Sequence, residues 1–366
     1  MNTIAWVTPS YFLDTDLYIM RYLPDFFKIR WYLTKFEGQK FDNERIIEEI
    51  SRKNNIEVIK YIFSGNIYGL KHFLQLKDFQ KTVRKNADLV YQPSGFIYTL
   101  PLMMWFGNRD KWVVPIHNVN TPKGARLYWL SKVYNDLTIS YYKHFATFSN
   151  SQYTLLHERK KDKCDILSAS FMLKDYGVAT KERSNQLISF MTFGNIIEYK
   201  RIDVLIDAAQ QAYEKTNIKF RVIIAGGCKK WERYESLIKY PDLFDLRISR
   251  VEDSEIPNLF EECDYFVAPY QDIAQSGSVI VAINYNKPII ASKIEAFEDF
   301  IEDKVNGFLI HPASVIDLRE IIVFILNNHH NIYSSLQNNQ RDMIKLRFKD
   351  EIIVKKYVDY FNKLLK

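Results

Sequence analysis

The stretch from Phe266 to Pro312 constrains the fold more than any other: FVAPYQDIAQSGSVIVAINYNKPIIASKIEAFEDFIEDKVNGFLIHP. The apolar run Tyr265–Pro269 has the length and composition of a strand buried on both faces of a parallel sheet. A polar loop, Tyr270–Gln275, leads to Ser276-Gly277-Ser278, which opens a helical pattern with Val279, Ile280, Ile283 and Tyr285 as its apolar positions. Asn286-Lys287-Pro288 ends that pattern, and a second strand begins at Pro288–Ala291. A glycine-containing turn therefore caps a helix directly after a buried strand. The first N–H groups of such a helix, with its dipole, favour an anion; the same residues also suit an ordinary serine-capped turn.

The rest of the chain alternates in the same way. Strands are expected at Ile4–Thr8, Phe27–Phe36, Ile56–Tyr61, Leu89–Tyr91, Lys111–Ile116, Phe145–Phe148, Leu187–Thr192, Phe220–Ala225 and Ile248–Val251. Helical spacing is read at Asn43–Asn54, Tyr68–Lys85, Ile97–Phe106, Ile202–Ala212, Trp231–Tyr240 and Ile256–Cys263, the last capped by Asp253 or Ser254. Ser314–Asn327 and Tyr333–Leu346 read as two further helices, and Glu351–Leu365 as a final amphipathic one. Strand–helix alternation implies parallel sheets with helices on both faces. At 366 residues there is room for two such units, and the polar, aperiodic Gly177–Gln186 reads as their linker.

The charge and cysteine content narrow the function classes. A net charge of +6 suits an anionic partner but is too diffuse to argue for nucleic acid. The three cysteines, Cys164, Cys228 and Cys263, have no zinc spacing and fit a reducing cytoplasm. Met1–Ser10 is a short apolar strand without a basic leader, and no run of about 18 apolar residues occurs. A cytoplasmic location is expected. The basic, aromatic segment Tyr18–Lys35 suits either a core or an anionic bilayer surface, which would place the chain peripherally on the inner face of the membrane. The acidic pairs Asp14/Asp16 and Glu302-Asp303 read as solvated, and no metal pattern stands out.

NKPIIAS, the acidic loop after it and DKVNGFLIHP resemble the donor-binding half of retaining glycosyltransferases of the GT-B fold, close to glycosyltransferase family 4, whose usual run is GKPVIAS…E…DGVNGLLVPP. The likeness covers the C-terminal half well and the N-terminal half loosely. It implies two Rossmann-like domains facing each other across a cleft: residues 1–180 for the acceptor, 181–348 for a nucleotide-sugar, and 349–366 as a helix packing back on the first domain. FGNIIEYKR is similar to the family's FGR…KG, so the resemblance makes Lys200 the diphosphate-binding lysine. Asn195 stands where the family has arginine, and Arg201, in place of the usual glycine, is a candidate substitute for it. The two glutamates of the family's E-x7-E motif fall on Ile273 and Val281, neither of them acidic.

The resemblance further implies donor contacts from Gly194, from the turn Gln275, Ser276, Gly277 and Ser278, and from Asp299, which falls where relatives carry a glutamate near the sugar. Glu295-Ala296 replaces a common glycine pair. Gly226, Gly227, Arg250 and Val251 lie at strand ends facing the nucleotide base, and His117, after the strand ending at Ile116, would touch the transferred sugar. The expected activity is metal-independent hexosyl transfer from a UDP- or GDP-sugar to a glycan acceptor, free or lipid-linked, in bacterial-type polysaccharide synthesis, with no cofactor. The missing arginine and glutamate keep two other readings open: a non-catalytic sugar-nucleotide-binding protein, and a scaffold partner of another transferase.

Overall fold

The computed structural model describes the chain except residues 40, 42, 86, 95–97, 122–127, 162, 171, 175, 184–185 and 274–275, and except the side chain of Asp14. The chain divides into two compact units, residues 1–172 with 349–366, and residues 173–348. Thr180 and Lys181, from the expected linker, donate their backbone N–H groups to Asn258 Oδ1 at 2.8 and 3.0 Å. Arg183 clamps Asp264 at 2.7 Å, so this segment is built into the second unit.

The first unit holds strands β1 (Thr3–Pro9), β2 (Lys28–Phe36), β3 (Ile56–Phe63), β4 (Leu89–Tyr91), β5 (Trp112–Ile116), β6 (His144–Thr147) and β7 (Asp165–Ser168). They form one parallel sheet in the order β3-β2-β1-β4-β5-β6-β7. Helices cover both faces. The reversal of order beside β1 is the switch point at which such sheets open to ligands, at the carboxyl ends of the strands.

Trp6 centres the core of this unit. Its ring stacks on Tyr91 with centroids 3.7 Å apart, and Tyr357 and Phe361 of the C-terminal helix Asp350–Leu364 reach it at 5.9 and 6.0 Å. Ile353, Tyr357 and Phe361 recur at helical spacing and are all buried, which explains why the last helix joins the first unit. Tyr18–Lys35 is part of the same core: Ile19, Met20, Leu23, Phe27 and Trp31 are buried, so this segment is not a bilayer surface. Its aromatic and aliphatic residues fill the space against β1 and the last helix. Asp16 is also buried rather than solvated; Thr8 donates to it at 2.7 Å, and Trp31 Nε1 donates to Thr8 at 2.8 Å.

The second unit holds β8 (Ser189–Phe193), β9 (Arg221–Ala225), β10 (Phe244–Arg247), β11 (Tyr265–Ala268), β12 (Ile289–Ser292) and β13 (Gly307–Ile310). They form a parallel sheet in the order β10-β9-β8-β11-β12-β13. Several expected elements move. The edge strand is Phe244–Arg247 rather than Ile248–Val251, because its charged side chains are paired: Arg247 meets Asp245 at 2.8 Å and Glu262 at 3.0 Å, and Arg221 meets Glu262 at 2.7 Å. Only Glu232–Glu235 of Trp231–Tyr240 is α-helical. Helix Ile256–Glu261 has no side-chain cap of its own; the 3-10 turn before it closes a capping box between Glu252 and Glu255, so neither Asp253 nor Ser254 serves. Val315–Arg347 is one helix of 33 residues where two were expected. The polar run Asn327–Asn331 contains no glycine or proline, so nothing in it breaks the backbone ladder.

Candidate functional site

In the second unit the sheet order reverses between β8 and β11, and the polypeptide leaving these strands builds a small polar surface. After β8, Gly194 takes φ +94°, a conformation that suits glycine. A Cβ at this position would lie 3.2 Å from Lys200 Nζ and 3.8 Å from Ser278 Cβ. The glycine therefore leaves room where a lysine and a helix start converge. Gly226, after β9, is fixed by packing: a Cβ there would stand 2.1 Å from the carbonyl oxygen of Gly194. Gly194 donates to Ala225 O at 2.9 Å and Ile196 to Gly227 O at 2.9 Å, so the two turns are laced together.

Lys200 ends the 3-10 turn Glu198–Lys200 and is only 6% exposed. Its ammonium donates to Phe193 O at 3.0 Å and lies 5.6 Å from the centre of the Tyr270 ring. Burial pulls its pKa down to about 8. No ion pair neutralises it among the described residues. It is a buried cation held by a carbonyl and a ring face, an arrangement suited to an incoming anion.

From the other side, β11 delivers Tyr270, whose hydroxyl lies 3.0 Å from Ser278 Oγ. Ser276 and Ser278 hydroxyls are also 3.0 Å apart. Ser276 caps helix Gly277–Asn284 by accepting from Val279 N–H at 3.4 Å. The N–H groups of Gly277 and Ser278 precede the first intrahelical bonds, and a Cβ on Gly277 would meet nothing within 4 Å. Open space thus lies beside the first residue of the helix. Gln271 N–H donates to Tyr199 O at 2.8 Å, tying this loop to the lysine turn.

The remaining expected residues spread around this centre. Asn195 is exposed, with Oδ1 3.9 Å from the Cβ position of Gly227. Arg250 backbone N is equally 3.9 Å from it, while the exposed Arg250 side chain pairs with Glu252 at 3.4 Å; Val251 beside it is half-buried. Arg201 turns to Asp203, donating Nε at 3.0 Å and Nη2 at 2.8 Å. Its charge is already engaged by that carboxylate. Asp299 follows the short helix Glu295–Glu298 beyond β12, and its carbonyl accepts from Arg347. Gln275 lies outside the described residues. Val281, at the second glutamate position, is buried.

In the first unit, His117 leaves the carboxyl end of β5. Its ring stacks on Phe148 at 4.7 Å and meets Phe12 edge-on at 4.4 Å. The backbone just after it is anchored: Val119 N–H donates to Gln152 Oε1 at 2.7 Å, and Asn135 donates to Val119 O at 2.7 Å. Two short helical turns follow β1, Ser10–Phe12 and Leu13–Asp16, and they bring Phe12 to the histidine.

Residues 179–343 match the family model described as Glycosyl transferases group 1. Among curated proteins, 200 residues are 24% identical to poly(ribitol-phosphate) alpha-N-acetylglucosaminyltransferase of Staphylococcus aureus, covering 54% of this chain and 40% of that one. A stretch of 153 residues is 23% identical to an uncharacterized glycosyltransferase of Methanocaldococcus jannaschii, covering 42% of each. These matches span less than half the length of either relative. Two solved structures align over the chain: a glycosyltransferase from Rickettsia africae (TM-score 0.77, 16% identity, 100% of this chain and 99% of that one) and Anabaena HepE in complex with UDP and glucose (TM-score 0.75, 16% identity, 99% and 100%).

The fold is GT-B.

Within this GT-B chain the sequence pointed to Gly194, Lys200, Gly226 and Ser276–Ser278, and the structure brings these together. It passed over Tyr199 and Tyr270. Tyr270 is fully buried, and burial raises its phenol to about 12, so it stays protonated and free to hydrogen-bond Ser278. The only signal for it was its place, two residues beyond a central strand. Among the described residues no group of three or more His, Cys, Asp or Glu could hold a metal ion.

Proposed function

We propose that this chain is a retaining glycosyltransferase, moving a hexosyl group from a nucleoside-diphosphate sugar to a hydroxyl of a glycan or polyol acceptor. The observation that carries the reading is the buried Lys200 ammonium beside the open N-terminus of helix Gly277–Asn284, with Gly194 leaving the space between them. A diphosphate satisfies both donors at once. It also supplies the counter-charge that the buried lysine lacks among the described residues.

In the proposed reaction the C1–O bond to the β-phosphate breaks as the C1–O bond to the acceptor forms on the same face. The acceptor hydroxyl proton passes to the departing phosphate oxygen. Charge builds on that phosphate, where Lys200 and the N–H groups of Gly277 and Ser278 stabilise it. Gly226, Gly227, Arg250 and Val251 would border the base, with Asn195 beside them, and Asp299 would reach the sugar. His117 would contact the transferred sugar, its imidazole held in place by Phe12 and Phe148. Arg201 is committed to Asp203 and takes no part.

UDP-sugars are the donors to try first, because the similar HepE was solved with UDP and glucose. The likeness to a poly(ribitol-phosphate) transferase, together with the positive net charge, favours an acceptor carried on an anionic surface polymer, lipid-linked during its synthesis, with transfer on the cytoplasmic side. The test is release of the nucleoside diphosphate from UDP-glucose, UDP-N-acetylglucosamine and GDP-mannose, with and without chelator, and the anomeric configuration of any product by NMR. Turnover undiminished by chelator with an α-product supports the reading. Complete loss with chelator, restored by manganese, would overturn the metal-independent part. Asn195 and Val281 favour a second reading, donor binding without turnover; it predicts tight UDP binding and no release from any donor.

A further inference from the structure

Three helices of the first unit lie side by side and turn apolar residues outward. Phe73 of helix Leu70–Lys85 contacts Tyr98, just before helix Thr99–Phe106, with ring centroids 5.4 Å apart. Tyr141, at the end of helix Tyr128–Tyr141, donates to Met104 O at 3.2 Å, placing the short helix between the two long ones. Trp105 on the short helix is 81% exposed, and Trp129 on the third is 76% exposed. Leu70 and Leu74 extend this surface on the first helix, and Val133 and Leu137 on the third.

Helix Tyr128–Tyr141 is inverted relative to a helix of a water-facing globule. Its buried residues are Thr138 and Ile139, whereas Trp129, Val133 and Leu137, spaced by four, are exposed. Basic residues adjoin the apolar ones. Helix Leu70–Lys85 carries Lys71, Lys77, Lys81, Arg84 and Lys85 against one acidic residue, Asp78. Lys81 sits 5.7 Å from the Phe106 ring, joining the basic stripe to the tryptophan helix. The nearby carboxylates are neutralised: Asp110 pairs with Lys143 at 2.5 Å, and Asp136 with Lys132 at 2.9 Å and with Arg159 at 2.5 Å.

We propose that this three-helix face rests on an anionic lipid surface, with Trp105 and Trp129 seated at the headgroup level and the lysines of helix Leu70–Lys85 against lipid phosphates. Tryptophan favours that interface, and each basic side chain near an anionic leaflet adds about 1 kcal/mol. A protein partner fits less well, because lysine is depleted from protein–protein interfaces and here it adjoins the apolar residues. No helix among the described residues is long and apolar enough to cross a membrane, so the contact is with one leaflet. The inference does not depend on the transferase reading, since these helices hold none of the residues assigned to the donor.

The test is co-sedimentation of the full chain with vesicles of phosphatidylcholine alone and with vesicles in which about a third of the lipid is phosphatidylglycerol. Binding to the anionic vesicles, weakened by salt and accompanied by a blue shift of tryptophan emission, is expected. Trp105→Ala with Trp129→Ala should lower vesicle affinity at least tenfold, to judge from about 25 cal/mol per Å² of lost apolar contact. Lys81→Glu with Lys85→Glu should do likewise through charge. All four positions are exposed, so UDP affinity and the melting curve should stay unchanged, which separates a failure here from a failure of the proposed donor site. The proposal is overturned if the wild-type chain stays in the supernatant with both vesicles, or if the tryptophan variant binds them as well as wild type. It is equally overturned if the wild-type chain is a dimer that the tryptophan variant turns into a monomer.

Discussion

Replacing Lys200 by methionine should strengthen the fold and weaken the ligand. The ammonium is 6% exposed and its pKa is lowered from 10.5 to about 8 by burial. At about 1.4 kcal/mol per pH unit, that is a penalty of about 3 kcal/mol on the charged form at neutral pH. The folded state binds this proton more weakly than the unfolded chain, so stability rises with pH between about 8 and 10.5 and the full penalty applies below about 8. Lys200→Met removes the penalty and keeps an unbranched side chain, shorter only by the terminal nitrogen. It also leaves Phe193 O without its 3.0 Å donor, which costs about 1 kcal/mol. The second unit should therefore gain about 2 kcal/mol near pH 7, and the gain should vanish above the lysine's unperturbed range. A charge-assisted bond to a diphosphate contributes about 1.5–3 kcal/mol, so UDP affinity should fall about 10- to 100-fold. Urea unfolding at two pH values and calorimetry with UDP read both effects. A variant less stable than wild type near pH 7, or one that binds UDP unchanged, would refute the reasoning.

Three further outcomes are expected. Burial raises the Asp16 carboxyl from 3.8 to about 7, so the wild-type chain should lose stability as pH rises through that window; Asp16→Asn should match it below the window and exceed it by up to about 4 kcal/mol above, as read by denaturant titration across pH. His117→Ala should lower kcat about 10- to 100-fold with a smaller change in KM if the imidazole contact tightens toward the transition state, and wild-type kinetics would make the histidine purely structural. Gly226→Ala forces a Cβ to 2.1 Å from Gly194 O, and should cost more than about 2 kcal/mol while displacing the turn that leads to Lys200; a circular-dichroism melt and UDP affinity unchanged from wild type would contradict that.

The central strands and the helix start were readable because burial writes itself into composition: β5, β9, β11 and β12 are near-continuous apolar runs. The cap at Ser276 was readable because small polar residues at a helix start have a local cause. Elements held by charge or turned outward were not. Strand β10, FDLR, is stabilised by arginine–carboxylate pairs to residues distant in sequence, so its own composition does not announce a strand. Helix Tyr128–Tyr141 went unread because its apolar spacing faces away from the core. In the site, local motif placed Lys200, but its burial against the Tyr270 ring and the Phe193 carbonyl depends on two separate loops meeting, which no spacing within one segment reveals. Arg201 shows the converse: next to the lysine in sequence, its own left-handed backbone (φ +51°) goes with a side chain turned to Asp203.

The last helix gives synthesis a direction. Ile353, Tyr357 and Phe361 complete a core begun at Trp6, so the first unit to be translated is the last to be finished. Residues 173–348 form a contiguous unit and can fold as they leave the ribosome, while the opening seven strands wait with part of one face of their sheet uncovered. A stop codon at Asp350 therefore strikes the unit that contains β1: it leaves residues 173–348 intact and uncovers the stack of Trp6 on Tyr91.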